Sequence, residues 1–306
     1  MTRVGESNQM TDIDRIDHPF VLTTNLDALA EAYRGLGFTL TPQSSRHVGT
    51  DPSSGAQRRL GTANRHVVFG DNSIELLGLM DPDAPDPWGV RHLAAAYEGI
   101  RGVVFGCADA YAVNQRLTST GVATTGVLEL QREVATPDGE ATMRARLVHL
   151  LPPTPEGGVG VAEHLTLELV RQPRHSRHPN GAEALSAVTL VVPDEEVGDY
   201  VRRYRMLLAV TAEPEGPRHV FQLRAGHIDI VAASAMGEVL PGETAPTLPF
   251  LAALTVHVAD LDAARSVVRA NGVATHPLPG GFFVRAADAC GASVVFTGRC
   301  AQEGEG

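Results

Sequence analysis

The chain has 306 residues, room for two domains of ordinary size, and its 43% hydrophobic content suffices for a large core. A formal net charge of −11 argues against non-specific nucleic-acid binding and against an anionic membrane surface. Cys107, Cys290 and Cys300 are too few and too far apart for a disulfide framework or a thiolate zinc site, and none of the basic residues is a lysine. A cytoplasmic protein from a high-GC bacterial genome is expected. Met1 to Met10 lack the apolar core of a signal peptide, and no apolar run approaches the ~18 residues of a membrane span.

In chain order, the segment from Ile16 to Leu79 reads as strand, helix and further strands. The first strand covers 18–23. Asn25 or Asp27 caps a helix through Leu29 to Tyr33, which stops at Gly35-Leu36-Gly37. Residues 38–40 restart strand character, and 65–69 and 73–79 form a hairpin over Gly70-Asp71-Asn72. The same grammar then returns. A strand at 101–108 precedes a helix at 110–118, and strands at 144–150 and 164–170 follow. The third copy has a strand at 187–192, a helix at 195–206, and strands at 218–224 and 227–232. The fourth has a strand at 251–258, a helix opened by Asp260 and ended by Asn271-Gly272, and strands at 281–285 and 292–297.

Two phrases make the repetition explicit. Thr24-Asn25-Leu26-Asp27-Ala28-Leu29 returns as Ala259-Asp260-Leu261-Asp262-Ala263-Ala264, and Gly35-Leu36-Gly37-Phe38 returns as Ala270-Asn271-Gly272-Val273. One helix among several strands, four times over, does not suit a doubly wound sheet, where helix and strand alternate. The expected fold is α+β: four βαβββ modules arranged in two pairs. The polar, proline-bearing stretch 171–181 divides them into an N-terminal pair, 13–172, and a C-terminal pair, 181–298.

Chemistry concentrates on His18, Glu75 and His164, each in a strand-like apolar run. Two imidazoles and a carboxylate are a ligand set for a mononuclear metal with open positions. An acid between Ile74 and Leu76 either faces solvent on the alternate side or is paired. His149, on a neighbouring strand, rivals His164 as third ligand. Glu168, four residues after His164, falls on the same side of a continuous strand and is a candidate general base. Arg46, His47, Asn64 and His149 are candidates for substrate binding. No phosphate-binding glycine loop, serine nucleophile elbow or HExxH helix is present.

The paired βαβββ unit, with Asp17-His18, Gly61-Thr62-Ala63-Asn64, Ile74-Glu75-Leu76-Leu77 and the 163–169 segment followed by His178-Pro179-Asn180-Gly181, resembles the vicinal oxygen chelate superfamily, and within it the glyoxalase-like subgroup. The resemblance spans about residues 16 to 181. It implies a cup of strands with metal ligands on the first and last strand of each module: His18 and Glu75 from the first, and His164 from the second. Gly102 stands where the fourth ligand belongs. One divalent ion (Fe, Mn, Zn, Ni or Mg) is the implied cofactor. Isomerase, lyase or ring-cleaving dioxygenase chemistry on a small oxygenated substrate is the implied activity, and metal-free sequestration of a small or antibiotic-like molecule is the alternative. Copies three and four carry Ala187 and Ala253 at the first-strand positions and only Asp229 as a last-strand acid, so no metal is expected there. The expected partner is a small molecule, with the chain a monomer or homodimer.

Overall fold

The computed structural model describes residues 11–298, except 45–47, 51–56, 87–88 and 153. Arg46 and His47 therefore lie outside the described residues. The N-terminal half comprises β1 (Ile13–Thr23), α1 (Leu26–Gly35), the small pair β2 (Val48–Thr50) and β3 (Gln57–Arg59), β4 (Thr62–Val68), β5 (Ser73–Leu79), α2 (Val90–Ala96), β6 (Gly99–Cys107), α3 (Ala110–Ser119), β7 (Leu128–Thr136), β8 (Gly139–His149), β9 (Gly158–His164) and α4 (Leu167–Val170). The C-terminal half comprises β10 (Ala182–Val192), α5 (Val197–Leu208), β11 (Glu213–Glu215), β12 (Arg218–Gln222), β13 (His227–Ala232), α6 (Met236–Val239), β14 (Phe250–Val258), α7 (Leu261–Ala270), β15 (His276–Leu278), β16 (Gly281–Val284) and β17 (Ser293–Thr297). Among the described residues no helix is long and apolar enough to cross a membrane.

Two curled mixed sheets result. One runs β4-β5-β1-β6-β9-β8-β7, the other β11-β12-β13-β10-β14-β17-β16-β15. The first strand of each module pairs antiparallel with its counterpart (β1 with β6, β10 with β14) and parallel with its own last strand. This is the α+β arrangement of four βαβββ modules expected from the repeat, in the two paired, cup-like mixed sheets implied by the resemblance.

Local sequence explains the helices that recur after each first strand. Asn25, Asp109 and Asp260 each accept a backbone N–H at the start of α1, α3 and α7, which removes an orphan donor. Leu26, Leu29, Ala30 and Tyr33 bury one face of α1 at i, i+3, i+4 and i+7 spacing. Gly37 follows with φ +84°, and a Cβ there would lie 2.8 Å from Val267 of α7. The four long helices and one face of each sheet share a single core, in which Phe38 stacks on Phe296 and Phe105 meets Tyr204 edge-on.

The stretch at 171–181 is not a loose linker. Asn180 Nδ2 donates to Leu36 O at 2.8 Å, and the buried His178 ring bridges Thr39 N (3.1 Å) and Val68 O (3.0 Å). The loop before β9 is locked to the other half as well. Glu156, fully buried, accepts from Tyr204 Oη at 3.0 Å and pairs with Arg203 at 3.2 Å, both on α5.

Several local expectations change. Residues 38–40 form no strand, and β7 and α2, with the short elements β2, β3, β11, β15 and α6, have no counterpart in the expected elements. The run expected as a strand at 164–170 ends its strand at His164 and continues as α4, because Leu165 and Thr166 turn the chain away from the sheet. The true last strand of the second module is therefore β9, several residues earlier.

Candidate active site in the N-terminal cup

Register locates the functional positions. In the first module Phe20 on β1 stands beside Glu75 on β5, and Glu75 stands beside His66 on β4. The N-caps Asn25 and Asp109 align the two modules, so Val104 corresponds to Phe20 and Gly102 to His18. Val104 pairs with Gly160, and Gly160 pairs with His149. The counterpart of Glu75 is thus Gly160, and His149 is the counterpart of His66. Glycine at 102 and 160 leaves room that other side chains use. A Cβ at Gly102 would fall 2.2 Å from the Phe20 ring, and one at Gly160 would fall 3.0 Å from His149 Nδ1.

The result is a cavity of ≈ 170 Å³ on the concave side of the sheet. Phe20, Leu77, Leu93, Leu130, Met143 and Leu147 form its apolar body, while His18, Asn64, His66, Glu75, Arg132 and His149 form its polar end. The polar end is a connected chain of groups. His164 Nε2 and His18 Nδ1 both donate to Asp17 Oδ2 at 2.8 Å, and Arg171 Nη2 donates to Asp17 Oδ1 at 2.7 Å. His18 Nε2 lies 3.6 Å from Glu75 Oε2. Asn64 Nδ2 donates to Glu75 Oε1, and Asn64 Oδ1 accepts from Arg132 Nη1 at 3.0 Å.

Asp17 and His18 are adjacent on a strand, where strict alternation would send them to opposite faces. A register shift between Ile16 and His18 inserts Asp17 as an extra residue against β6, and such a bulge re-aims side chains. The same shift recurs on β10 between Leu185 and Ala187, so Ser186 and Ala187 occupy the Asp17 and His18 positions in the second cup. That cup is closed differently. Met236, Val239 and Leu240 at α6 pack onto Val191, Val231, Ala253 and Phe283. Its last-strand acid, Asp229, is held by Arg218 and His227, each at 3.4 Å.

The groups of the N-terminal cup titrate in opposite directions. Burial pushes the Asp17 carboxyl up, but the His164 imidazole and the hydrogen bonds from His164 and His18 outweigh it and hold Asp17 well below the usual carboxylate range. Burial pushes His18 down, and its hydrogen bond and charge contact with Asp17, helped by Glu75, overturn that and raise it. His149 has no such partner: burial lowers it, and His18 lowers it further. Burial also lowers Arg132, against the attraction of Glu75.

His18, Glu75, Asn64, His149 and His164 all line this one cavity. Glu168 does not. It is exposed on α4, where the helix breaks the strand alternation that placed it beside His164, and it is withdrawn as the general base. His164 reaches the cavity wall, but its Nε2 is spent on Asp17 and its Nδ1 is buried without a partner. Asp17, His66, Arg132 and Arg171 complete the site without having been singled out. The Asp17-His18 dipeptide carried a signal for Asp17; Arg132 sits on an unanticipated strand and carried none.

The expected metal ligands do not fit an ion. Among the described residues no group of three or more His, Cys, Asp or Glu side chains is disposed to hold one. His18 and Glu75 face each other, but His164 is tied to the far side of His18 through Asp17.

Residues 16–208 match the family described as a glyoxalase-like domain. No curated protein matches the chain. Among solved structures, a hypothetical protein from Staphylococcus aureus is 14% identical with a TM-score of 0.64, covering 94% of this chain and 100% of its own. A mutant of 4-hydroxymandelate synthase from Streptomyces coelicolor is 14% identical with a TM-score of 0.57, covering 96% of this chain and 95% of its own. A xylose isomerase-like TIM barrel/4-hydroxyphenylpyruvate dioxygenase fusion protein is 12% identical with a TM-score of 0.62; the match covers 97% of this chain and 50% of the fusion. At these identities the structures share the fold.

Proposed function

Because the chain belongs to the glyoxalase-like domain family and has the vicinal oxygen chelate fold, we propose that its N-terminal cup is the active site of an enzyme that moves a proton next to a carbonyl group of a small oxygenated substrate. The observation that carries this reading is the pair of unlike imidazoles in one cavity. His18 is fixed by Asp17 through Nδ1 with Nε2 facing the polar end, and His149 has a buried Nε2 with no partner. Opposed pKa shifts in one site assign acid and base. His149, lowered by burial, is the neutral base that takes the C–H proton. His18, raised by Asp17, presents Nε2–H to the oxygen as it gains charge. Return of the proton to a neighbouring atom gives an isomerisation, and loss of a β-leaving group gives an elimination. Neither outcome changes oxidation state overall.

The isomerase, lyase and dioxygenase expectations all ran through a metal-stabilised enolate or oxyanion; here the two imidazoles carry the isomerisation or elimination, and no step is assigned to an ion because the donors do not converge on one. The apolar lining equally supports binding without turnover, the sequestering alternative.

Proton exchange separates the two. In deuterium oxide, a panel of α-hydroxyketones, 2-oxo acids and 1,3-dicarbonyls is followed by NMR for loss of the acidic C–H signal. Accelerated exchange with at least one class is expected, falling by roughly 100-fold or more in His149→Asn. Exchange that is absent throughout, or untouched in His149→Asn and His18→Ala, overturns the catalytic reading and leaves binding alone.

A further inference from the structure

Arg132 is a half-buried cation at the polar end of the cavity whose hydrogen-bonding capacity is largely unspent. It reaches the cavity from β7, a strand at the sheet edge, and Leu130, Met143 and Val170 line the same wall. One of its five N–H donors is used, Nη1 to Asn64 Oδ1 at 3.0 Å. Its Nε is buried with no partner. A buried guanidinium normally completes its fork with a carboxylate, and an unmet donor there costs stability. The acid that acts on it electrically is Glu75, but Glu75 is held by Asn64 and faces His18. Arg171, the other arginine lining the cavity among the described residues, is already paired with Asp17. Asn64 therefore works as a spacer: its amide fixes Glu75 with one end and Arg132 with the other, and keeps the guanidinium fork turned from the protein's own acid.

We infer that the substrate is an organic acid, an apolar body carrying a carboxylate or equally planar oxyanion that Arg132 receives. This rests on the proposed active site and adds the substrate class to it. The carboxylate completes the Arg132 fork, and the apolar body lies on Phe20 and Leu147. The carbon next to the oxygen-bearing group is thereby presented to His149 and His18. Arg132 is a specificity residue, and the proton transfer belongs to the two imidazoles.

The test uses phenylacetate and its uncharged isostere phenylacetamide, with affinity read by titration calorimetry and location by the 13C-methyl signal of Met143. Phenylacetate is expected to bind wild-type protein roughly tenfold or more tightly than the amide, as a charge-assisted bidentate pair requires. In Arg132→Gln that preference falls below about threefold, with an unchanged thermal unfolding transition showing that the variant is folded. Arg132→Lys recovers part of the preference, since it restores the charge without the fork. Equal binding of acid and amide to wild type, or a preference that survives in Arg132→Gln, overturns the inference and leaves the proposed active site standing. Binding of neither probe at Met143 overturns both.

Discussion

Replacing Asp17 by Asn tests the polar chain at its centre. Asp17 is 2% exposed and accepts from His18, His164 and Arg171 at 2.7–2.8 Å. The amide keeps the shape and one acceptor but loses the charge, and it turns an N–H₂ toward one of three donors. Arg171, whose side chain is 7% exposed, then remains buried without a counter-charge. Removing one partner of a buried ion pair costs about 3–5 kcal/mol. For a chain of this size that lowers the melting temperature by roughly 6–10 °C. The pH dependence adds a second reading. Asp17 has a lowered folded pKa, so its contribution is complete above the unfolded value near ~3.9 and is lost as pH falls through the folded one. His18 is the reverse: its raised pKa contributes below ~6.5, and that contribution disappears as pH rises through the folded value. Thermal unfolding at several pH values, with NMR titration of His18, measures both. In Asp17→Asn the His18 pKa drops, and the stability lost by wild type on passing from slightly acidic to slightly alkaline pH largely vanishes. A melting temperature within about 2 °C of wild type, or an unmoved His18 titration, refutes the argument that Asp17 governs this site.

Three further outcomes follow from the geometry. Gly102→Ala places a Cβ 2.2 Å from Phe20 and 2.3 Å from Gly158 O, so denaturant titration is expected to show a loss of ~1–3 kcal/mol, and phenylacetamide binding falls with it because Phe20 is displaced. Glu156→Gln weakens the tie between the two halves, leaving Arg203 without its buried acid; denaturant titration is expected to show a loss of about 3 kcal/mol of stability. Elemental analysis of extensively dialysed protein is expected to find no divalent ion in stoichiometric amount; one full equivalent that His18→Ala and Glu75→Ala abolish shows instead that donors rearrange to bind it.

Much of the fold was legible because it repeats. The helices α1, α3 and α7 follow from local rules: a capping Asn or Asp, an apolar face at helical spacing and a left-handed glycine at the end, all of which act within a few residues; α5 lacks the side-chain cap and ends at Ala209. β7 was not legible. Glu129, Gln131 and Glu133 alternate with Leu130, Arg132 and Val134, and the charged Arg132 breaks the apolar face because Leu130 and Arg132 line a cavity rather than a packed core. The 164–170 run misled for the opposite reason. Leu165, Leu167, Leu169 and Val170 alternate like a strand, yet the sheet ends at His164 and only the backbone's departure reveals it.

The sequence by itself determined the module grammar, the two cups and the presence of His18, Asn64, Glu75 and His149 among the residues with chemistry to offer. Only the tertiary structure decided how they are used. A bulge of one residue put Asp17 beside His18 and drew His164 away from Glu75, and the absence of side chains at Gly102 and Gly160 opened the cavity that His149 and Phe20 enter. These are matters of register between strands far apart in the chain, where a shift of one residue exchanges the two faces of a sheet. A single strand read alone carries no record of its partner's register, so the ligand inventory was written in the sequence and its wiring was not.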